Sequence, residues 1–150
     1  MPLQKDLREF IELLNSRHVE YLIVGAFALA FHGVPRSTGD IDILVRTTQQ
    51  NAARVEEVLQ TFSFASLGLS AADFLHADQV IQLGHPPNRI DLLTSITGVA
   101  FDEAWTDCVP GHLHGIPVRF IGRETLIRNK RATGRTQDKA DLEALGAAVD

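Results

Sequence analysis

The chain has 150 residues, of which 45% are hydrophobic and 22% charged, and its formal net charge is -5. These values are typical of one globular domain and argue against an intrinsically disordered chain. They also argue against a protein that coats nucleic acid, because that function needs an excess of lysine and arginine. We therefore expect one domain over residues 1–150.

Two features indicate a cytoplasmic protein. The longest apolar run, residues 22–31, is about half as long as a membrane span, and the first residues do not form a basic segment followed by an apolar one. The single cysteine, Cys108, excludes an internal disulfide bond. We expect no membrane partner.

The first half of the chain alternates helices and strands. Apolar residues at helical spacing predict an amphipathic helix over residues 3–16. A buried strand over residues 21–24 is followed by an apolar helix that begins after Gly25 and ends near Gly33. A second strand begins at Ile41, and a further helix begins near Thr48.

The second half predicts more strands and two closing helices. Ser70 and Asp73 resemble a capping box. The segments "QVIQLG" and "RIDLLT", joined by "HPPN", predict a β-hairpin. A short helix near 101–105, a strand over 116–121 and helices over 124–131 and 137–147 follow, with Thr136 as the expected N-cap of the last helix. The fold class is therefore α/β (α+β), a mixed β-sheet flanked by helices.

Asp40 and Asp42 stand at the start of the second strand, where an apolar run begins. Residues i and i+2 of a strand project from the same face, so the two carboxylates are expected to lie side by side. Two such groups repel each other at neutral pH unless a cation neutralises them. Mg²⁺, which prefers carboxylate oxygens and phosphates, is the natural candidate, so we expect a metal site at one edge of the sheet.

A third carboxylate, Asp91, lies inside the strand-like segment "RIDLL". Neighbouring strands are about 4.8 Å apart, so Asp91 can complete an acidic cluster able to hold two metal ions about 3.5–4 Å apart. The alternative is a structural ion pair with Arg89, which shares its strand face. The residues alone leave both interpretations open.

Two further features point to an anionic ligand. The turn at Gly25 leads into a helix whose first backbone N–H groups are suited to phosphate. From Arg119 to Lys139 there are seven basic and two acidic residues, a local balance of 7 - 2 = +5. A solvated helical face is the alternative explanation for the basic stretch.

The segments "VGAFALAFHGVPRSTGDIDILV", "RIDLL" and "GRTQDKADLEAL" resemble the DNA polymerase β-type nucleotidyltransferase superfamily. Within it, the resemblance is to the small bacterial branch of minimal nucleotidyltransferases and AbiEii-like toxin enzymes. It implies a Mg²⁺-dependent enzyme, with Mn²⁺ as an alternative ion. Such an enzyme moves a nucleoside monophosphate from an NTP to a hydroxyl of RNA, a protein or a small molecule. It also implies a partner protein within a toxin–antitoxin pair.

The resemblance assigns roles to individual residues. Asp40, Asp42 and Asp91 are the implied catalytic and metal-binding residues, with Asp91 as the ligand of a second ion or as the general base. The residues implied to bind the nucleotide are Gly25, Ala26, Arg36, Thr38, Lys130 and Arg135.

The chain departs from the family pattern at two positions. Ala26 stands where Gly or Ser is common and has no hydroxyl for a phosphate, and Gln137 stands where Lys is often found. These departures keep two other functions in view. One is a catalytically silent nucleotide-binding or protein-interaction module of the same fold, and the other is a metal-dependent phosphohydrolase.

Overall fold

The computed structural model describes residues 5–36, 39–62, 67–84 and 89–147. Six helices and six strands occur in these ranges. The helices are α1 Lys5–Ser16, α2 Gly25–Phe31, α3 Gln49–Thr61, α4 Phe101–Asp107, α5 Arg123–Thr133 and α6 Thr136–Ala144. The strands are β1 Tyr21–Val24, β2 Ile41–Val45, β3 Val80–Leu83, β4 Ile90–Leu93, β5 Val109–Leu113 and β6 Ile116–Phe120.

The strands form one mixed sheet in the order β3-β4-β2-β1-β6-β5. The β1–β2, β3–β4 and β5–β6 pairs are antiparallel, whereas β1–β6 and β2–β4 are parallel. Helix α1 packs against α3 and β6, and α2 packs against β1 and β2. The predicted mixed α/β architecture is therefore confirmed.

Most predicted elements occur close to their expected bounds. The predicted hairpin is the β3–β4 pair, although its "HPPN" connection lies outside the described residues. The hydroxyl of Thr48 caps α3 by accepting from the backbone N–H of Asn51 at 3.3 Å. Ser70 and Asp73 form the predicted capping box, which precedes a short 3₁₀ helix, Ala71–Phe74.

In the second half, the structure has one strand beyond those expected and moves one expected helix start. Strand β5 was not predicted, because Pro110 and Gly111 disfavour strands. They are tolerated here because β5 lies at the edge of the sheet, where a missing N–H breaks no ladder. Thr136 is the first residue of α6 rather than its N-cap. The Asp138 carboxylate accepts the backbone N–H of Arg135 at 3.1 Å and fixes the start of the helix one residue earlier.

No helix within the described ranges is long and apolar enough to cross a membrane.

Candidate functional site

Parallel pairing of β2 with β4 places two of the predicted catalytic carboxylates next to each other. Asp42 and Asp91 are direct partners in the register of these strands. Both strands are flanked on each side by another strand, so the expected position at an edge of the sheet was wrong. The Asp91 residue is only 8% exposed. The two carboxylates therefore meet near the start of two central strands, where Asp91 is buried and Asp42 is half-buried.

Arg89 binds Asp91 and also contacts Asp40, the third of the predicted catalytic carboxylates. Its Nε and Nη2 atoms donate to the two oxygens of Asp91 at 2.7 and 3.1 Å. Its Nη2 atom also lies 3.6 Å from Oδ2 of Asp40, and its backbone N–H donates to Oδ1 of Asp40 at 3.0 Å. The ion pair considered from the sequence is thus present, and it coexists with the acidic cluster.

The electrostatics of Asp42 reflect crowding by its neighbours. Burial, the nearby charges of Asp91 and Asp40 and a hydrogen bond with Asp91 raise the pKa of Asp42 to about 6. The charge of Arg89 opposes this effect only in part. Asp42 therefore holds a proton more tightly than an ordinary aspartate does.

Gly25 lies directly against Asp42. Val24 is the register partner of Asp42, and Gly25 follows it with a φ of +67°, a conformation that disfavours residues with a side chain. A Cβ atom built on Gly25 would lie 2.1 Å from Oδ2 of Asp42. The missing side chain thus lets the Asp42 carboxylate lie directly against the backbone of Gly25, and Ala26 follows as a half-buried residue of α2.

Three of the other predicted nucleotide-binding residues contact a second pair of carboxylates. Asp138 and Asp141 of α6 are fully buried, and we call them the buried carboxylate pair. Lys130 of α5, itself only 8% exposed, places its Nζ atom 3.3 Å from Asp138 and 3.1 Å from Asp141. Arg36 forms an ion pair with Asp141, and Nε of Arg135 binds Asp138 at 2.8 Å. Arg36, Lys130 and Arg135 thus all contact this pair.

Hydrogen bonds keep the buried carboxylate pair ionised. A hydrogen bond from Arg135, opposed by burial and aided by the Thr133 hydroxyl, holds the pKa of Asp138 far below its usual range. Burial raises the pKa of Asp141, but hydrogen bonds from Gln137, Arg36 and Lys130 outweigh it, so that this pKa is also lowered. Gln137, one of the two departures from the family pattern, therefore helps to bind Asp141.

Sequence reasoning missed the buried carboxylate pair, although a signal for it exists. The buried residues of α6 and the turn after it are Asp138, Asp141, Leu142 and Leu145, a spacing of three, four and seven residues. This is the stripe of an amphipathic helix, with two acidic residues in its core-facing positions. Lys130 occupies the corresponding stripe of α5 beside Leu126 and Ile127.

The site is compatible with a divalent metal only after a local rearrangement. Within the described ranges, no group of three or more His, Cys, Asp or Glu side chains is already arranged around a common metal position. The donors are nevertheless of the right type, since Mg²⁺ takes carboxylate oxygens. Burial and the charges of Asp91 and Asp40 raise the pKa of Asp42, and a cation bound at these carboxylates would lower it. The residues therefore fit the ion chemically, while Arg89 now binds two of the three carboxylates.

Solved structures share this arrangement of helices and strands. A candidate nucleotidyltransferase from Thermotoga maritima matches with a TM-score of 0.61 and 18% identity, covering 91% of this chain and 88% of that one. The chain has a nucleotidyltransferase-like fold. An antigenic nucleotidyltransferase-like protein from Paracoccidioides brasiliensis matches with a TM-score of 0.51 and 15% identity, covering 97% of this chain and 76% of that one.

The nucleotidyltransferase-like fold agrees with the resemblance found in the sequence. No family model and no curated protein matches the chain. The similarity concerns the fold, and the small bacterial branch stays a prediction. Thr38, one of the residues implied to bind the nucleotide, lies outside the described residues.

Proposed function

We propose that the chain is a metal-dependent nucleotidyltransferase that moves a nucleoside monophosphate from an NTP to an acceptor hydroxyl. The observation that carries the proposal is the convergence of Asp40, Asp42 and Asp91, which we call the aspartate trio, next to the backbone of Gly25 at the start of α2. An acidic cluster of this kind lowers the free energy of unfolding unless a cation neutralises its charge. Mg²⁺, or Mn²⁺ in its place, would supply charge neutralisation at the transferred phosphoryl group when bound.

The proposed reaction forms one bond and breaks another. The acceptor oxygen bonds to the α-phosphorus of the NTP, and the bond from that phosphorus to the oxygen bridging to the β-phosphate breaks, so that pyrophosphate leaves. In this proposal Asp40 and Asp42 supply metal ligands. Asp91 either accepts the proton of the hydroxyl or binds a second ion. Gly25, which has no side chain, lets the Asp42 carboxylate lie at the start of α2, where the phosphates are proposed to bind.

The cations around the buried carboxylate pair are proposed to bind the triphosphate. Three cations, Arg36, Lys130 and Arg135, face two carboxylates, which leaves a local charge of 3 - 2 = +1. The Arg135 side chain is 71% exposed, so its guanidinium can add a phosphate contact without leaving Asp138. Arg36 stands four residues before Asp40, which limits the distance between their Cα atoms to about 14 Å. Ala26 and Thr38 complete the proposed nucleotide site.

A catalytically silent nucleotide-binding or protein-interaction module is the second candidate, and a specific observation favours it. Each of the three cations already has a carboxylate partner within the protein, and Lys130 is nearly inaccessible. Ala26 also offers no hydroxyl to a phosphate. In that case the aspartate trio would bind a metal and a nucleotide without transfer.

The test is incubation of the protein with each α-labelled NTP, Mg²⁺ and total cellular RNA, followed by gel analysis of RNA and protein. The double variant Asp40→Asn/Asp42→Asn removes two metal ligands, and Glu57→Gln on the exposed face of α3 is the matched control. Label in either class that vanishes only in the double variant supports transfer. Metal-dependent NTP binding without label in RNA, in protein or in a panel of small hydroxyl compounds favours the silent module. Release of free phosphate without labelled acceptor indicates a phosphohydrolase.

The proposed role in a toxin–antitoxin pair rests on the sequence resemblance. If the chain is the toxin, its induced expression in bacteria slows growth, and the Asp40→Asn/Asp42→Asn variant does not. Growth that is equally slow with the double variant would contradict a toxicity based on nucleotidyl transfer.

A further inference from the structure

The guanidinium of Arg89 contacts two members of the aspartate trio. Its guanidinium binds Asp91 through two parallel hydrogen bonds, a geometry that makes charge-assisted pairs strong. The same Nη2 atom faces Asp40 at 3.6 Å. Arg89 therefore supplies the positive charge at the position where the proposed function needs a metal ion.

The backbone holds Arg89 at this place independently of its side chain. Its N–H donates to Asp40 at 3.0 Å, and its carbonyl accepts the N–H of Ile41 at 3.0 Å. The bond from Ile41 continues the β2–β4 ladder by one residue, so that the main chain is held before β4 begins. The guanidinium, whose side chain is 25% exposed, can leave the carboxylates without unpairing the strands.

We propose that Arg89 is an internal counter-ion that competes with divalent metal for the aspartate trio and must leave Asp91 before the metal binds. The inference rests on the proposed function, since it concerns the same site. The pairing engages both oxygens of Asp91 and neutralises its charge, so Asp91 is a weaker metal ligand and a weaker base while Arg89 is bound. Arg89 acts through Asp91 and is a positioning residue that sets the metal affinity of the chain.

Metal affinity of charge-matched variants tests the competition directly. Arg89→Gln keeps a polar side chain but removes the charge, and Arg8→Gln on the exposed part of α1 changes the net charge equally. Titration with Mn²⁺ at pH 7.5, followed by the electron paramagnetic resonance signal of free Mn²⁺, gives the dissociation constants. We expect Arg89→Gln to bind Mn²⁺ about tenfold more tightly than wild type, the effect of losing one charge-assisted bidentate pair. Arg8→Gln should bind as wild type does.

Two outcomes overturn different parts of the reasoning. If wild type binds Mn²⁺ and Arg89→Gln binds it equally or more weakly, the competition is refuted and the proposed metal site stands. If neither protein binds Mn²⁺, even with a non-hydrolysable ATP analogue present, the metal site of the proposed function fails, and the inference fails with it.

If Arg89→Gln does not fold, the displacement of Arg89 by metal can still be tested on the wild-type chain by NMR. The Nε–H group of Arg89 gives a distinct ¹H–¹⁵N resonance, which Arg89→Lys identifies by its disappearance. Saturating Mg²⁺ should shift this resonance and speed its exchange with water, because its bond to Asp91 is broken. A resonance that stays unchanged while Mg²⁺ binds would refute displacement.

Discussion

Replacing Asp42 with asparagine is expected to make the metal-free protein more stable at neutral pH. The folded-state pKa of Asp42, about 6, lies above the ordinary value of 3.8 because of burial and the charges of Asp91 and Asp40. The folded protein therefore binds a proton at Asp42 more tightly than the unfolded chain does. As the pH rises from about 4 to 6, ionisation of Asp42 lowers the free energy of unfolding. Asparagine stays neutral and can still donate a hydrogen bond to Asp91, as protonated Asp42 does.

The magnitude follows from the two pKa values. Their difference corresponds to about 3 kcal/mol at most at pH 7.5. Asp42 is only half-buried, so solvent screening reduces the expected gain to about 1–2 kcal/mol. For a chain of this size the gain raises the melting temperature by about 3–6 °C. At pH 5 the gain should be about half as large, and near pH 4 it should be close to zero.

Thermal unfolding of wild type and Asp42→Asn in buffer containing a chelator, at pH 7.5, 5 and 4, measures this effect. Glu57→Gln removes an exposed carboxylate from α3 and controls for the change in net charge. A lower melting temperature of Asp42→Asn at pH 7.5 would show that ionised Asp42 is a stabilising partner. A gain that is the same at all three pH values would show that its cause is not ionisation.

Three further changes should have distinct effects. Gly25→Ala should lower the free energy of unfolding by about 2 kcal/mol or more, because its Cβ collides with Asp42 and its φ is positive; urea unfolding that matches wild type would contradict this. Asp138→Asn should cost about 3–5 kcal/mol at pH 7, because it weakens the compensation of buried Lys130. Because the folded-state pKa of Asp138 is depressed, that stabilisation is present above pH 4 and lost as the pH falls further; a penalty at pH 7 below about 1 kcal/mol would refute it. Mg²⁺ at saturation should raise the melting temperature of wild type but not of Asp91→Asn, and an equal rise in both would exclude Asp91 as a ligand.

Local patterns in the sequence determined most of the secondary structure. Strands β1 and β2 follow from short apolar runs, and α1 and α3 follow from apolar residues at helical spacing. The turn between β1 and α2 follows from Gly25, which adopts a positive φ. These features are readable because burial of one face imposes a period of two or 3.6 residues on neighbouring positions.

Tertiary structure alone decided which charged residues meet. Asp42 and Asp91 are 49 residues apart, and only the parallel register of β2 with β4 makes them neighbours. The sequence could place Arg89 and Asp91 on one face of a strand but could not decide whether the pair forms in the presence of Asp40 and Asp42. Whether this ion pair forms depends on the distances between the charged groups in a partly buried site, where a few ångströms change the strength of each charge interaction.

The burial of the buried carboxylate pair was also decided by tertiary structure. Asp138 and Asp141 occupy helix positions where apolar residues are the rule, and from the sequence alone acidic residues are assigned to the surface. They can be buried because three basic side chains form ion pairs with them. These are Arg36 after α2, Lys130 of α5 and Arg135 at the start of α6. Periodicity describes one element at a time, whereas burial of a charge depends on what the other elements bring to it.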